Sequence, residues 1–107
     1  MKWKITYYSE QVTTDIKKWP KKLLAKYLRI VDLIEEQGPN LGEPFTKKID
    51  KELYEIRVKA QEGIGRALYC YLVGQEIVIL TAFIKKTQKT PLRIIELAKT
   101  RMKEVKL

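Results

Sequence analysis

Two stretches of the chain repeat their apolar residues every three or four positions, the spacing of one face of an α-helix. The first covers residues 12–19 and follows Ser9, a residue type that caps helix N-termini. The second covers residues 23–34 and ends before the Gly-Pro pair at 38–39, because glycine and proline terminate helices. Pro20 separates the two and is expected at the first position of the second helix. We therefore predict a helical hairpin with a shared apolar face.

Other stretches alternate apolar and polar residues, which is the period of a half-exposed β-strand. Residues 3–8 alternate in this way at their start, which predicts a short strand. Residues 53–59, 64–73 and 76–84 follow as three consecutive strand-like stretches, and the last is apolar on both faces. Short glycine-containing turns separate them, and Gly74-Gln75 fits a two-residue hairpin turn with glycine first. The pattern predicts an antiparallel meander whose third strand lies centrally.

A last helix is predicted after Thr90-Pro91, where a capping hydroxyl would precede a proline at the first helical position. Residues 38–52 are rich in glycine and proline and are predicted to form a loop, with an irregular edge strand as an alternative. The order β-α-α-β-β-β-α indicates one α+β domain over residues 1–107, built on a small twisted sheet.

The charge of the chain indicates a polyanionic partner. Its 107 residues include 22 Lys and Arg against 13 Asp and Glu, a net charge of +9. Residues 81–107 hold eight basic and two acidic residues, so +6 of this charge lies in the last quarter. Such asymmetry favours nucleic acid as a partner, although a solvated basic helix gives the same composition.

The residue types that are missing or rare exclude several kinds of site. There is no His, which excludes a His general base, Ser–His and Cys–His nucleophilic pairs and His-ligated metals. The single cysteine, Cys70, excludes an intrachain disulfide and a Cys-cluster zinc site, and is predicted to be buried. We expect no metal and no cofactor. Without a visible apolar leader or a bilayer-length apolar run, we expect a cytoplasmic protein with no membrane partner.

Arg57 and Arg66 are the first candidates for chemistry. Arg57 lies on the polar side of its strand, and Arg66 interrupts an otherwise apolar strand. A guanidinium presents a planar fork of donors that fits phosphate oxygens, and it is costly to bury without a partner. We predict that both bind a phosphate, with a cross-strand salt bridge, for instance to Glu55 or Glu62, as the alternative.

A second candidate is the segment from Ile84 to Pro91, which carries Lys85, Lys86 and Lys89 between a central strand and the start of a helix. Helix N-termini attract anions, so three lysines there oppose the helix dipole. A bound anion would relieve this repulsion, and a solvated loop without a function is the alternative. We predict that the segment binds an anion.

Three phrases of the sequence together resemble a known family. They resemble the HigB-like, phage-derived branch of the RelE superfamily, which contains toxins of bacterial type II toxin–antitoxin systems. The resemblance covers nearly the whole chain. It implies the RelE-like microbial RNase fold, in which a helical hairpin packs on a small, twisted, mainly antiparallel sheet with a C-terminal helix. The phrases are Leu53-Tyr54-Glu55-Ile56-Arg57-Val58, Arg66-Ala67-Leu68-Tyr69 and Phe83-Ile84-Lys85-Lys86-Thr87-Gln88-Lys89-Thr90-Pro91.

The resemblance also implies an activity and its partners. The activity is ribosome-dependent cleavage of mRNA, without a metal, which inhibits translation. The partners are mRNA, the ribosome and a cognate antitoxin of the helix-turn-helix DNA-binding type, through which alone the toxin would reach operator DNA. By this resemblance the catalytic residues are Arg57, Arg66, Lys85 and Lys86. The expected RNA-binding residues are Lys48, Lys59, Gln88 and Lys89.

The sequence departs from the family pattern where many relatives carry a His, just before the Phe of the last strand. Thr81-Ala82 stands there, and no Tyr follows Tyr71. Two other functions therefore stay open: a basic nucleic-acid-binding module without chemistry, and an inactive phage-derived protein that only forms protein complexes. If the protein cuts RNA, stabilisation of the phosphate by Arg and Lys must carry the reaction.

Overall fold

The computed structural model describes residues 2–106, in which three helices and five strands are found. Ser9 caps the first helix as predicted, since its side chain accepts a hydrogen bond from the Val12 backbone N–H. None of the described helices has the length and apolar character needed to span a membrane. The elements are β1 (Lys4–Tyr7), α1 (Glu10–Lys17), α2 (Lys21–Gln37), β2 (Thr46–Asp50), β3 (Leu53–Ala60), β4 (Gly63–Leu72), β5 (Glu76–Lys85) and α3 (Leu92–Val105).

The five strands form one sheet in the order β1-β5-β4-β3-β2. β2, β3, β4 and β5 are antiparallel neighbours, while β1 runs parallel to β5. The predicted meander is confirmed. So is the irregular edge strand, because the pairing of β2 with β3 shifts register between Lys48 and Asp50. The α+β fold class and the mainly antiparallel sheet are confirmed with it.

Helices cover both faces of the sheet. The helical hairpin of α1 and α2 packs on one face, where Leu23, Tyr27 and Ile34 have no exposed surface. On the other face α3 packs over a cluster that includes Leu68 and Cys70, both fully buried. Burial of apolar surface of this kind is the main favourable contribution to folding. On this face of the sheet the same strands also carry polar residues, which lie outside the apolar cluster under α3.

Polar contacts also hold α3 on the sheet. A register shift in the β4–β5 pairing skips Leu80, and Arg101 Nη1 donates to the Leu80 carbonyl at 2.7 Å. The Arg101 guanidinium also lies 4.5 Å from the centre of the Tyr8 ring. The Tyr8 hydroxyl in turn donates to Glu104 at 2.6 Å. Arg101 thus fixes α3 to β5 and to the residue that follows β1.

Four local predictions are wrong. Pro20 and Pro91 each precede the first helical residue, with extended ψ angles of 145° and 141°, and neither has a side-chain cap. Thr90 does not cap α3, because its buried hydroxyl is hydrogen-bonded to Glu55 and Arg66, and charged partners form the stronger bonds. The β4–β5 turn has three residues, 73–75, because Leu72 pairs with Glu76.

Gly65 determines how closely the hairpin approaches the sheet beside Arg66. A Cβ atom at this position would lie 2.8 Å from Trp19 Cζ3 and 3.1 Å from Val58 Cγ2. The first distance is shorter than any ordinary contact between carbon atoms. Only glycine therefore lets the Trp19 ring lie directly over β4.

We expect Gly65→Ala to lower the free energy of unfolding by about 1–3 kcal/mol, because the added methyl group forces Trp19 or the backbone to move. Urea denaturation measures the change. Val73→Ala is the control, since Val73 is fully exposed in the β4–β5 turn. Its effect is expected to stay below about 0.5 kcal/mol. An equal midpoint for Gly65→Ala and the original protein would contradict the close contact.

Candidate functional site

The two arginines predicted to bind phosphate lie side by side on the sheet face that α3 only partly covers, called here the arginine face. Arg57 of β3 is the direct partner of Arg66 of β4. The next row of the same face contains Lys59, Ile64 and Lys85. Since neighbouring strands are about 4.8 Å apart, the fold brings Arg57, Arg66 and Lys85 together.

A buried carboxylate lies between the two arginines. Glu55 is fully buried, and its Oε1 lies 2.9 Å from Arg57 Nε and 2.8 Å from Arg57 Nη2. Its Oε2 accepts a hydrogen bond from the Thr90 hydroxyl at 2.5 Å. That hydroxyl accepts from Arg66 Nη1 at 3.1 Å. Arg57, Glu55, Thr90 and Arg66 thus form one continuous network, called here the buried network.

Glu55 explains how two arginines can share this part of the sheet. Like charges directly opposite each other on neighbouring strands are destabilising, and a buried charge needs a partner. The alternative interpretation of Arg57 as an ion-pair partner of Glu55 is confirmed, within one strand and not between strands. One carboxylate faces two guanidiniums, so the network retains an excess of one positive charge.

Arg66 has no exposed surface in this arrangement. Its Nη2 donates to the Thr87 carbonyl, and its guanidinium lies 5.7 Å from the centre of the Phe83 ring. Burial lowers the pKa of Arg66 below its ordinary value, Arg57 lowers it as well, and Glu55 opposes both. Its Nε has no partner among the described residues. Arg66 therefore holds the β5–α3 loop from beneath, whereas the Arg57 side chain is 17% exposed.

Most of the predicted lysines surround the arginines. Lys85 is the last residue of β5 and is partly buried on the arginine face. Lys86, Gln88 and Lys89 are exposed in the loop that Arg66 holds, and Lys59 is exposed near the end of β3. Within residues 2–106, no group of three or more Cys, Asp or Glu is arranged to hold a metal ion. The site presents positive charge and hydrogen-bond donors.

Lys48 is not part of this group. It is paired with Tyr54, whose side chain packs under the helical hairpin, whereas Lys47 is paired with Glu55. Because successive residues of a strand point to opposite faces, Lys48 lies on the hairpin side of the edge strand. RNA binding by Lys48 therefore stays a prediction, for a residue that lies away from the arginine face.

Beside the arginine face, a cleft of about 440 Å³ opens between α2 and residues 43–45. Phe45, which is 40% exposed, lies at this cleft. The sequence pattern did not single out the residues that α2 and residues 43–45 contribute, because docking of the hairpin on the sheet brings them together. The charged lining residues are Lys26, Arg29, Glu43, Arg57 and Lys59.

Solved structures with the same fold include a toxin and a toxin–antitoxin complex. The E. coli toxin RelE, in the free state and with two arginines replaced by alanine, gives a TM-score of 0.68 at 11% identity, covering 95% of this chain and 99% of its own. A chain of the archaeal RelE–RelB complex from Pyrococcus horikoshii OT3 gives 0.59 at 22% identity, covering 83% and 100%. A chain of the YoeB–YefM complex from Staphylococcus aureus gives 0.59 at 21% identity, covering 79% and 99%.

These similarities and the topology show that the fold is that of the RelE toxin superfamily. The chain belongs to the family of phage-derived Gp49-like proteins (DUF891), whose model matches residues 14–103. A search of curated proteins finds no match to the sequence. The predicted phage-derived family is confirmed, and so is the predicted RelE-like fold.

We expect Thr90→Val to lower the free energy of unfolding by about 1–3 kcal/mol, because it removes the hydrogen-bond partner of Arg66 Nη1 and of Glu55 Oε2 in the interior. Urea denaturation measures the loss. Thr87→Val is the matched control: Thr87 is exposed, and only its backbone carbonyl contacts Arg66. The network would be refuted as a stabilising unit if both variants unfolded at the same urea concentration.

Proposed function

We propose that this protein is the toxin of a type II toxin–antitoxin system, and that it inhibits translation by cutting mRNA on the ribosome in the cytoplasm. The observation that carries the proposal is the arginine face, where Arg57 and Lys85 lie beside the exposed basic loop. Membership of the Gp49-like family and the fold shared with RelE and YoeB support it.

The proposed reaction needs no metal. The 2′-hydroxyl of a ribose loses its proton to water and its oxygen bonds to the adjacent phosphorus. The bond from phosphorus to the 5′-oxygen breaks, that oxygen takes a proton from water, and a 2′,3′-cyclic phosphate remains. Negative charge develops on the phosphoryl oxygens during this step. Preorganised cations stabilise that charge most in the transition state. Arg57 binds Glu55 through Nε and Nη2, which leaves Nη1 to donate to a phosphoryl oxygen. Lys85 and Lys86 add two further charges at the end of β5.

Arg66 acts in this proposal as a positioning residue. It is fully buried and bonded to Thr87 and Thr90, so it fixes the loop that carries Lys86. This role differs from the direct phosphate contact expected from the sequence. Its charge still adds to the positive potential beneath the loop, because the interior screens charge less than water does.

Exposed residues on both sides of this centre are assigned to the flanking RNA. Lys59 lies on one side, at the β3 edge, and Gln88 and Lys89 lie on the other, in the loop. Neutralisation of phosphates by lysine releases counterions, so binding of the RNA should weaken steeply as salt increases.

A cognate antitoxin is the second partner in this proposal. Two of the structures with the same fold are complexes, RelE–RelB and YoeB–YefM. A protein with a net charge of +9 favours a negatively charged partner segment over its basic face. We assign operator binding to a helix-turn-helix antitoxin, so the toxin reaches operator DNA only through it.

Inducible expression of this chain alone is expected to arrest growth, and co-expression of the adjacent open reading frame is expected to restore it. Mapping of mRNA 5′ ends should reveal new ends inside translated codons, since cleavage is proposed to occur on the ribosome. RNA binding without new ends would favour the nucleic-acid-binding module instead. Absence of both would favour the inactive phage-derived protein.

Lys85→Ala is expected to slow single-turnover cleavage on programmed ribosomes by about 10²–10³-fold, because one stabilising donor is removed. The substitution leaves the buried network intact, and the melting temperature checks the fold. Lys17→Ala is the control, since Lys17 is exposed on α1, across the sheet from Lys85. Equal losses in both variants would mean that overall charge, and not the site, determines the rate.

A further inference from the structure

We propose that the cleft between α2 and residues 43–45 binds one nucleotide of the RNA next to the scissile phosphate. In this proposal Phe45 stacks on the base, and Glu43 selects bases that carry an amino group. The inference rests on the proposed function and extends it from the cutting of RNA to the choice of base.

The cleft exists because β2 is short. The last residue pair of β2 with β3 is Thr46 with Ile56, and the Arg57 N–H then donates to the Phe45 carbonyl at 3.2 Å. Beyond that point, no strand within residues 2–106 pairs with this edge of β3. The Lys26 ammonium donates to the Lys59 carbonyl on this free edge. One wall is therefore α2, the floor is β3, and the other wall is the segment before β2.

The charge of the cleft fits a nucleotide. Its lining contains four basic side chains and one acidic side chain, an excess of three positive charges. Arg57 belongs both to this lining and to the buried network. A nucleotide in the cleft would therefore place its phosphate beside the same guanidinium that is proposed to contact the scissile phosphate. The cleft thus continues the proposed site.

Phe45 provides a stacking surface within this basic lining. Its side chain is 40% exposed and lies at a cleft that four cationic side chains also line. Every base has a π-face, so an exposed aromatic ring in a basic groove binds single-stranded RNA irrespective of sequence. Stacking of this kind is worth about 5- to 150-fold in affinity.

An antitoxin helix could also complement the positive charge of the cleft. The size of the cleft, however, favours a nucleotide. A helix is about 10–12 Å across with its side chains, so two turns occupy about 1,000 Å³. The cleft has about 440 Å³. That volume lies in the range that holds one small ligand, about 300–1,000 Å³.

Glu43 is the feature that can discriminate between bases. It is exposed, and it forms no ion pair within residues 2–106 although four cations share its cleft. An ionised carboxylate only accepts hydrogen bonds. Cytosine, adenine and guanine each offer an amino group to it, whereas uracil offers one N–H between two carbonyl oxygens that repel the carboxylate.

The test uses ribosomes programmed with mRNAs that differ at one position of the cleaved codon. Phe45→Ala is expected to raise KM by about 5- to 150-fold and to affect KM more than kcat. Glu43→Gln is expected to reduce the preference for amino-bearing bases over uridine by about tenfold, because an amide both donates and accepts. Val73→Ala and Glu10→Gln are the controls, since both residues are exposed and distant from the cleft. Unchanged KM and unchanged base preference would overturn the proposal.

A second measurement separates this inference from the proposed function. Binding of fluorescein-labelled single-stranded RNA hexamers is followed by anisotropy with the whole protein, whether or not it cuts RNA. Weaker binding by Phe45→Ala, with no cleavage by any form, would support the subsite and refute the nuclease. If Phe45→Ala weakened binding of the co-purifying antitoxin and not of the RNA, the cleft would be an antitoxin site and the proposal would be wrong.

Discussion

The buried carboxylate of Glu55 is the constraint on which the rest of the site depends. Two guanidiniums on neighbouring strands of a central sheet would repel each other and lose their hydration, so neither could stay there without an anion. Glu55 binds Arg57 directly and reaches Arg66 through the Thr90 hydroxyl. Breaking such a buried pair costs far more than an exposed salt bridge, since an uncompensated charge is left inside. The basic face is therefore built around one acid.

The same network connects the sheet to the loop before α3. Thr90 and Thr87 belong to that loop, and both contact Arg66 of β4. The loop consequently has a fixed base although its lysines are exposed. The two neighbouring arginines have different surroundings. Arg66 is fully buried and binds the loop backbone, whereas Arg57 is partly exposed and keeps a guanidinium nitrogen that is free to donate. Such a division suits a site that must keep several like charges close together.

Features of the fold and site that depend on residues close together in the sequence could be predicted. Features that depend on contacts between distant residues could not. The hairpin, the meander and α3 follow from local periodicity and were predicted. The residues around Thr90 are typical of a helix cap. Its hydroxyl instead donates a hydrogen bond to Glu55, which lies 35 residues away in the sequence. The side of the sheet on which Lys48 lies could not be predicted, because register cannot be read from an irregular edge strand. The cleft was missed because Lys26 and Phe45 become neighbours only when α2 docks on the sheet.

The parallel pairing of β1 with β5 has a consequence for synthesis. Thr6 contacts Ile77, 71 residues later, so β1 emerges from the ribosome about 4–14 s before its partner at about 5–20 residues per second. Glu55, Arg66 and Thr90 also belong to the later part of the chain. The sheet and its basic face can therefore be completed only after the chain through Thr90 has left the ribosome. A protein proposed to attack translated messages would thus remain inactive while these segments of its own chain are still being made.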